Sequence, residues 1–234
     1  MTDDKKLPER STQSAVDDFL RKVAVTPAAS AGEGQGRLIF AMDATASRQP
    51  TWDRASHIQA EMFTETAALG GLEIQLVYYR GFGECKFSPW VKTSKDLLRR
   101  MTGVFCMAGQ TQIVKILQHA IRETERKRVA ALVFVGDCVE EDIDKLGHLA
   151  GKLGLLGVPC FMFHEGNEPV ARSAFQQIAR LSGGAYCPFD ANSAQHLRDL
   201  LSAVAVYAAG GRRALEDFGQ RRGGAAKLLT HQIK

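Results

Sequence analysis

The chain has 234 residues, 45% of them hydrophobic and 24% charged, which is the balance of a folded domain with a sizeable core rather than of a disordered chain. Its net charge of +4 is concentrated at one end: from Arg212 onward stand six basic residues (Arg212, Arg213, Arg221, Arg222, Lys227, Lys234) and two acidic ones (Glu216, Asp217). The rest of the chain is neutral overall, which argues against a basic face for specific nucleic-acid recognition.

Met1 to Arg10 is charged and lacks the apolar run of a secretory signal. The longest apolar stretches, Val129–Val135 and Leu200–Ala209, are far shorter than the roughly 20 residues of a spanning helix, so no membrane span is expected. The five cysteines (Cys85, Cys106, Cys138, Cys160, Cys187) form no C-x-x-C pair, which fits neither a disulfide framework nor a zinc knuckle. A reducing cytoplasm is the expected compartment.

In chain order, residues 1–35 read as an N-terminal helix (Val16, Phe19, Leu20, Val23) followed by a Pro, Ala, Ser and Gly linker. Gly32, Gly34 and Gly36 precede a strand, whereas a dinucleotide loop follows one, so they are read as linker. Strand-like runs then alternate with helical patterns through residues 36–209. Leu38–Met42 precedes an amphipathic stretch at Ile58, Met62 and Phe63, and Glu73–Arg80 is the second strand. Gly81-Phe82-Gly83 turns tightly into Glu84–Trp90, which must therefore run antiparallel, at the sheet edge. A helix with Ile113, Ile116, Leu117, Ala120 and Ile121 leads to the strand Val129–Val135. Ile143, Leu146, Leu149 and Leu153 mark the next helix, before Val158–Phe163. Val170, Ala174, Phe175, Ile178 and Leu181 follow, then Ala185–Pro188 and a last helix with Leu197, Leu200, Leu201 and Val204. Such alternation predicts a mostly parallel sheet covered by helices on both faces. Residues 210–234, with paired glycines among charges, read as a flexible basic tail.

In open α/β sheets ligands gather at the carboxyl ends of the strands. Past the first strand lies Asp43-Ala44-Thr45-Ala46-Ser47; if the backbone stays extended there, the three oxygens point the same way. Thr111 lies in a glycine-containing loop before a helix, and Asp137 follows the strand Val129–Val135. Two carboxylates and three hydroxyls, with no sulfur or nitrogen, suit a hard divalent cation, which would remain near neutral and open to an anionic ligand. The nearby Cys106 and Cys138 read as inert thiols, and the scattered histidines lack a partner for catalysis. Asp53, Glu61, Glu140, Glu141 and Asp142 read as acids at helix starts, and Phe82, Phe87 and Trp90 as either a contact patch or packing under the edge.

The order Asp43-x-Thr45-x-Ser47, Thr111, Asp137 resembles the metal-ion-dependent adhesion site of the von Willebrand factor A domain family, with Thr45 where that family usually has Ser. The resemblance covers about residues 36–209. It implies a Rossmann-like three-layer α/β fold, with strand order 3-2-1-4-5-6 and strand 3 antiparallel. It further implies Mg2+ (or Mn2+ or Ca2+) held by Asp43, Thr45, Ser47, Thr111 and Asp137, and a partner protein that offers an acidic residue. A non-enzymatic, intracellular binding module is the expected function; a metal-dependent hydrolase using the same ion is the alternative.

Overall fold

The computed structural model describes residues 18, 19, 21, 22, 36–189 and 194–222. Six strands form one sheet: β1 (Gly36–Asp43), β2 (Leu72–Arg80), β3 (Glu84–Phe87), β4 (Ala131–Gly136), β5 (Cys160–Glu165) and β6 (Ala185–Phe189). Their order is β3-β2-β1-β4-β5-β6, all parallel except β3, which pairs antiparallel with β2. β1 is the central strand, with Phe40 opposite Leu76 on one side and Val133 on the other. Both of its faces are covered, which is why it reads as a continuous apolar run instead of an alternating one.

The covering helices are α1 (Gln49–Ile58), α2 (Ala60–Thr66), α3 (Ser94–Met101), α4 (Ile113–Arg126), α5 (Ile143–Leu155), α6 (Pro169–Ser182) and α7 (Ala194–Arg222). Leu38, Phe40 and Met42 point to one side, where they pack with residues of α1, α2, α3 and α7. Ile39 and Ala41 point to the other and pack with α4, α5 and α6. The period-two alternation of β1 thus divides the core into two apolar layers. Among the described residues no helix is long and apolar enough to cross a membrane, and none of the five cysteines is in a disulfide.

Three elements differ from the sequence expectation. First, the edge segment is interrupted: β3 ends at Phe87, Val91 makes only an isolated bridge to Ile74, and the unforeseen helix α3 follows. Pro89 cannot extend a ladder, and Thr93 starts the helix by accepting from Asp96 N–H at 3.2 Å. Second, β4 and β5 each begin two residues late, because Val129 and Val158 are buried on the approach to the sheet without joining it. Third, helix resumes where a flexible tail was expected: α7 as bounded is two helices that meet at Gly211, and the second runs on to Arg222 with Ala214, Leu215 and Phe218 buried. Gly211, at φ 70° and ψ −164°, is the non-helical residue between them, a conformation that glycine adopts readily. Residues 223–234 and most of the expected N-terminal helix lie outside the described residues. Phe19, which is described, packs edge-on against Phe163 and Phe161 at 5.2 and 6.0 Å.

On the face of β2, His119 of α4 stacks on Phe87 at 3.9 Å and shares a 2.8 Å hydrogen bond with Gln75. Burial pushes its pKa down from the usual 6.5 to about 4, against the pull of Glu123 and with help from Arg122. Folding therefore favours the neutral ring, so its stabilisation is complete above pH 6.5 and fades as the pH falls from there toward 4. After discounting for solvent screening, this should cost about 1–2 kcal/mol by the acid end. His119→Phe should flatten that limb in chemical denaturation followed between pH 7 and 4; an unchanged slope would place the acid sensitivity elsewhere.

Candidate metal centre

Asp43 is the last residue of β1, and Asp137 follows the last residue of the neighbouring β4, so strand adjacency brings the two carboxylates to one end of the sheet. Gly136 helps this approach: a Cβ there would lie 2.7 Å from the Phe134 ring and 3.6 Å from Asp43 Cβ. Thr45 is extended (φ −70°, ψ 165°), and its N–H donates to Asp43 Oδ1 at 2.7 Å. The backbone then turns through a short 3-10 helix, Ala46–Arg48, instead of continuing extended. Ser47 is brought to the site by that turn, with its hydroxyl donating to Asp137 Oδ2 at 3.1 Å.

Thr111 reaches the same place from the loop before α4. Its N–H donates to Glu140 Oε2 and its hydroxyl oxygen accepts from Glu140 N–H, both at 3.0 Å, so this loop is tied to the segment after β4. Gln112, at the N-cap of α4, makes no side-chain cap bond; Glu141 caps instead, accepting from Ile113 N–H and from Val114 N–H at 2.9 Å. The loop is also fastened to its neighbours, by Met107 N–H to Ala44 O at 3.0 Å and Gln110 N–H to Gly81 O at 3.2 Å. At Gly109 a Cβ would fall 2.2 Å from Gly81 O, so no side chain fits at this crossing. All five expected residues line one pocket of about 290 Å³, together with Ala108, Cys138 and Glu140 among others.

The charges are uneven. Asp43 is buried, and burial raises its pKa; hydrogen bonds from the Thr45 N–H and hydroxyl and from Tyr79 oppose this, while the Asp137 charge adds to it. Tyr79 donates to Asp43 Oδ2 at 2.9 Å, and burial with the nearby Asp43 keeps its phenol protonated. Among the described residues Asp43 forms no ion pair. Asp137 does: Arg48 Nη1 lies 3.3 Å from its Oδ2, and the Nη2 of the same guanidinium bonds Thr51 Oγ1 at 2.8 Å and pairs with Glu165.

Other sequence candidates are placed outside this chemistry. Burial raises the thiols of Cys138 and Cys106, the latter to about 11, so neither is a thiolate at neutral pH. His164 is buried and bonded through Nδ1 to the Tyr186 hydroxyl at 3.0 Å, and no histidine lines the pocket. Asp53 accepts from Gln49, and Glu61 pairs with Arg198. Phe82 is 83% exposed, whereas Trp90 lies under the Arg37 guanidinium at 3.8 Å and donates to Glu123 at 2.8 Å. Sequence reasoning missed Arg48 and Tyr79; of the acids it read at helix starts, Glu141 caps α4 and Glu140 bonds Thr111 in the loop before that helix. Asp142 caps α5 alone, accepting from Lys145 N–H at 2.9 Å.

Among the described residues, no three His, Cys, Asp or Glu side chains are grouped to hold a metal. A cation here would depend on two carboxylates, hydroxyl oxygens and water, a donor set that fits Mg2+ better than a soft metal. The buried Asp43 carboxylate, hydrogen-bonded but without an ion pair among the described residues and facing a second acid, supports that fit, since a buried charge with no opposite charge beside it is costly.

No protein-family model matches the chain, and no curated protein matches its sequence. Solved structures do match. The SpRpn10 VWA domain is 14% identical, with 71% of this chain and 94% of that one covered and a TM-score of 0.54. An aerotolerance-related membrane protein from Bacteroides fragilis is 15% identical over 70% of this chain and 96% of that one, with a TM-score of 0.54. Proximal thread matrix protein 1 from the mussel byssus, whose structure is described as having a zinc occupied MIDAS motif, is 15% identical over 74% of this chain and 46% of that one, with a TM-score of 0.59. The fold is the von Willebrand factor A fold, in the strand order and with the antiparallel third strand that the resemblance implied.

Proposed function

We propose that the protein is an intracellular binding module of the cytoplasm in which Asp43, Thr45, Ser47, Thr111 and Asp137 hold Mg2+, with Mn2+ or Ca2+ as substitutes, and a carboxylate of a partner protein completes the site. The observation that carries this reading is Asp43: a buried carboxylate at the floor of an open pocket, beside a second carboxylate and without a cationic partner among the described residues. The ion would supply the missing positive charge and an exchangeable position for an anionic ligand. This chain's residues hold the carboxylates in place: the Thr45 N–H and Tyr79 hydroxyl fix Asp43, and the Ser47 hydroxyl fixes Asp137. Binding is favoured over hydrolysis because the lining carboxylates are already engaged and no histidine or lysine joins them as a general base.

Calorimetric titration with Mg2+ should show one site in the wild type and none in Asp43→Ala or Asp137→Ala. Equal affinity in all three proteins would reject the ligand assignment. Affinity capture with Mg2+ against chelator should retain a partner on the wild type only when the ion is present.

A further inference from the structure

We propose that Arg48 is a built-in counter-cation that holds down the affinity of this pocket for a divalent ion, so that ion and carboxylate partner bind cooperatively. This role presupposes the metal site proposed above.

Arg48 follows Ser47 directly, yet it points inward and is only 4% exposed. Its guanidinium joins three strand ends: it is carried on the loop after β1, Nη1 lies 3.3 Å from Asp137 Oδ2 beyond β4, and Nη2 pairs with Glu165 at the end of β5. Thr51 Oγ1 accepts from Nη2 at 2.8 Å and itself donates to Glu165, which holds the group in this orientation. Asp137 Oδ2 thus receives both the Ser47 hydroxyl and the Arg48 guanidinium. A residue needed only to neutralise Glu165 would not have to reach Asp137. A divalent ion drawing on Asp137 must share that carboxylate with a positive charge that burial shields from salt. The repulsion lowers affinity in the partner-free state. A partner's carboxylate offsets it, and by linkage each ligand then strengthens the other.

The test is Mn2+ and Mg2+ titration of the wild type and four variants whose folding is checked by circular dichroism. Arg48→Met removes the charge at similar volume and should tighten metal binding by about tenfold or more. Should that variant fail to fold because Glu165 loses its cation, Arg48→Met/Glu165→Gln removes both charges and should also bind more tightly than the wild type. Arg48→Lys keeps the charge and should stay near the wild-type affinity. A merely structural role could weaken binding but would not tighten it. Unchanged or weaker binding in a folded Arg48→Met or double variant overturns the proposal. Asp43→Ala separates the two claims: wild-type binding that Asp43→Ala abolishes but Arg48→Met does not improve defeats the counter-cation alone. Binding by none of the proteins, or binding that survives Asp43→Ala, defeats the metal site as well.

Discussion

Asp43→Asn is expected to unfold no earlier than the wild type in metal-free buffer, and to lose the rise in melting temperature that Mg2+ gives the wild type. Both halves follow from one side chain. The carboxylate is buried, which raises its pKa, and it faces Asp137, so ionising it costs stability when no cation is present. Because the folded-state pKa is raised, this cost is absent at low pH and grows as the pH rises through the folded value. Asparagine can keep the local bonds: its carbonyl accepts from Thr45 N–H, and its amide can donate to the Tyr79 oxygen once that hydroxyl rotates. It cannot supply the charge. At an ion concentration of 100 times the dissociation constant the wild type should gain about 2.7 kcal/mol, or roughly 5–10 °C for a domain of this size. Thermal melts with and without Mg2+ check both halves. A variant several degrees less stable than the wild type without metal, together with a wild type that ignores Mg2+, would make Asp43 a structural acceptor.

Arg37→Met should cost about 3–5 kcal/mol and lower the melting temperature by roughly 6–20 °C, while leaving metal affinity unchanged. Arg37 is the second residue of β1, near the opposite end of that strand from Asp43, about 20 Å away at a strand's rise per residue. It is 6% exposed, is stacked on Trp90, and pairs with Glu73 at 3.5 Å and Glu123 at 3.3 Å. Removing it strands two nearly buried carboxylates. Lys92 and Lys127 near Glu73, and Arg126 near Glu123, soften the loss and point to the lower half of the range. Arg37→Met/Glu123→Gln should recover part of the stability. Recovery close to zero would mean that lost stacking on Trp90, rather than the charge, sets the cost.

The layered architecture and the antiparallel edge strand were legible because hydrophobic period and glycine placement are local signals, whereas the strand order was legible only through the family resemblance. β1 shows as an apolar run, and Gly81 and Gly83, at φ 57° and 115°, force the reversal into β3. The five candidate ligands were legible as strand-end residues in a known order. Their fastening was not. Glu140 and Glu141 stand next to α5 in sequence but serve Thr111 and the start of α4, a pairing that only the close approach of two loops creates. Tyr79 looks like any core aromatic of β2 until register places it opposite Asp43. Ser47 was expected to converge along an extended backbone, but a 3-10 turn carries it instead. Arg48 reads as an ordinary surface cation because nothing nearby in sequence predicts Glu165 as its partner. The helix beyond Gly211 was hidden because a glycine pair usually ends a helix; Gly211 does end one here, but a second follows at once, with Leu215 and Phe218 buried.

The position of β1 at the middle of the sheet also sets when the pocket can exist. Leu38 pairs with Ile74 on one side and with Ala131 on the other, so the first half of the sheet can assemble long before the second is made. At about 5–20 residues per second, a ribosome needs roughly 5–20 s to go from Asp43 to Asp137. The pocket therefore straddles the seam between β1 and β4, which cannot form until β4 has been made. A partner that recognises it during synthesis meets only chains whose two halves have already joined, and an ion bound there would clip that seam shut.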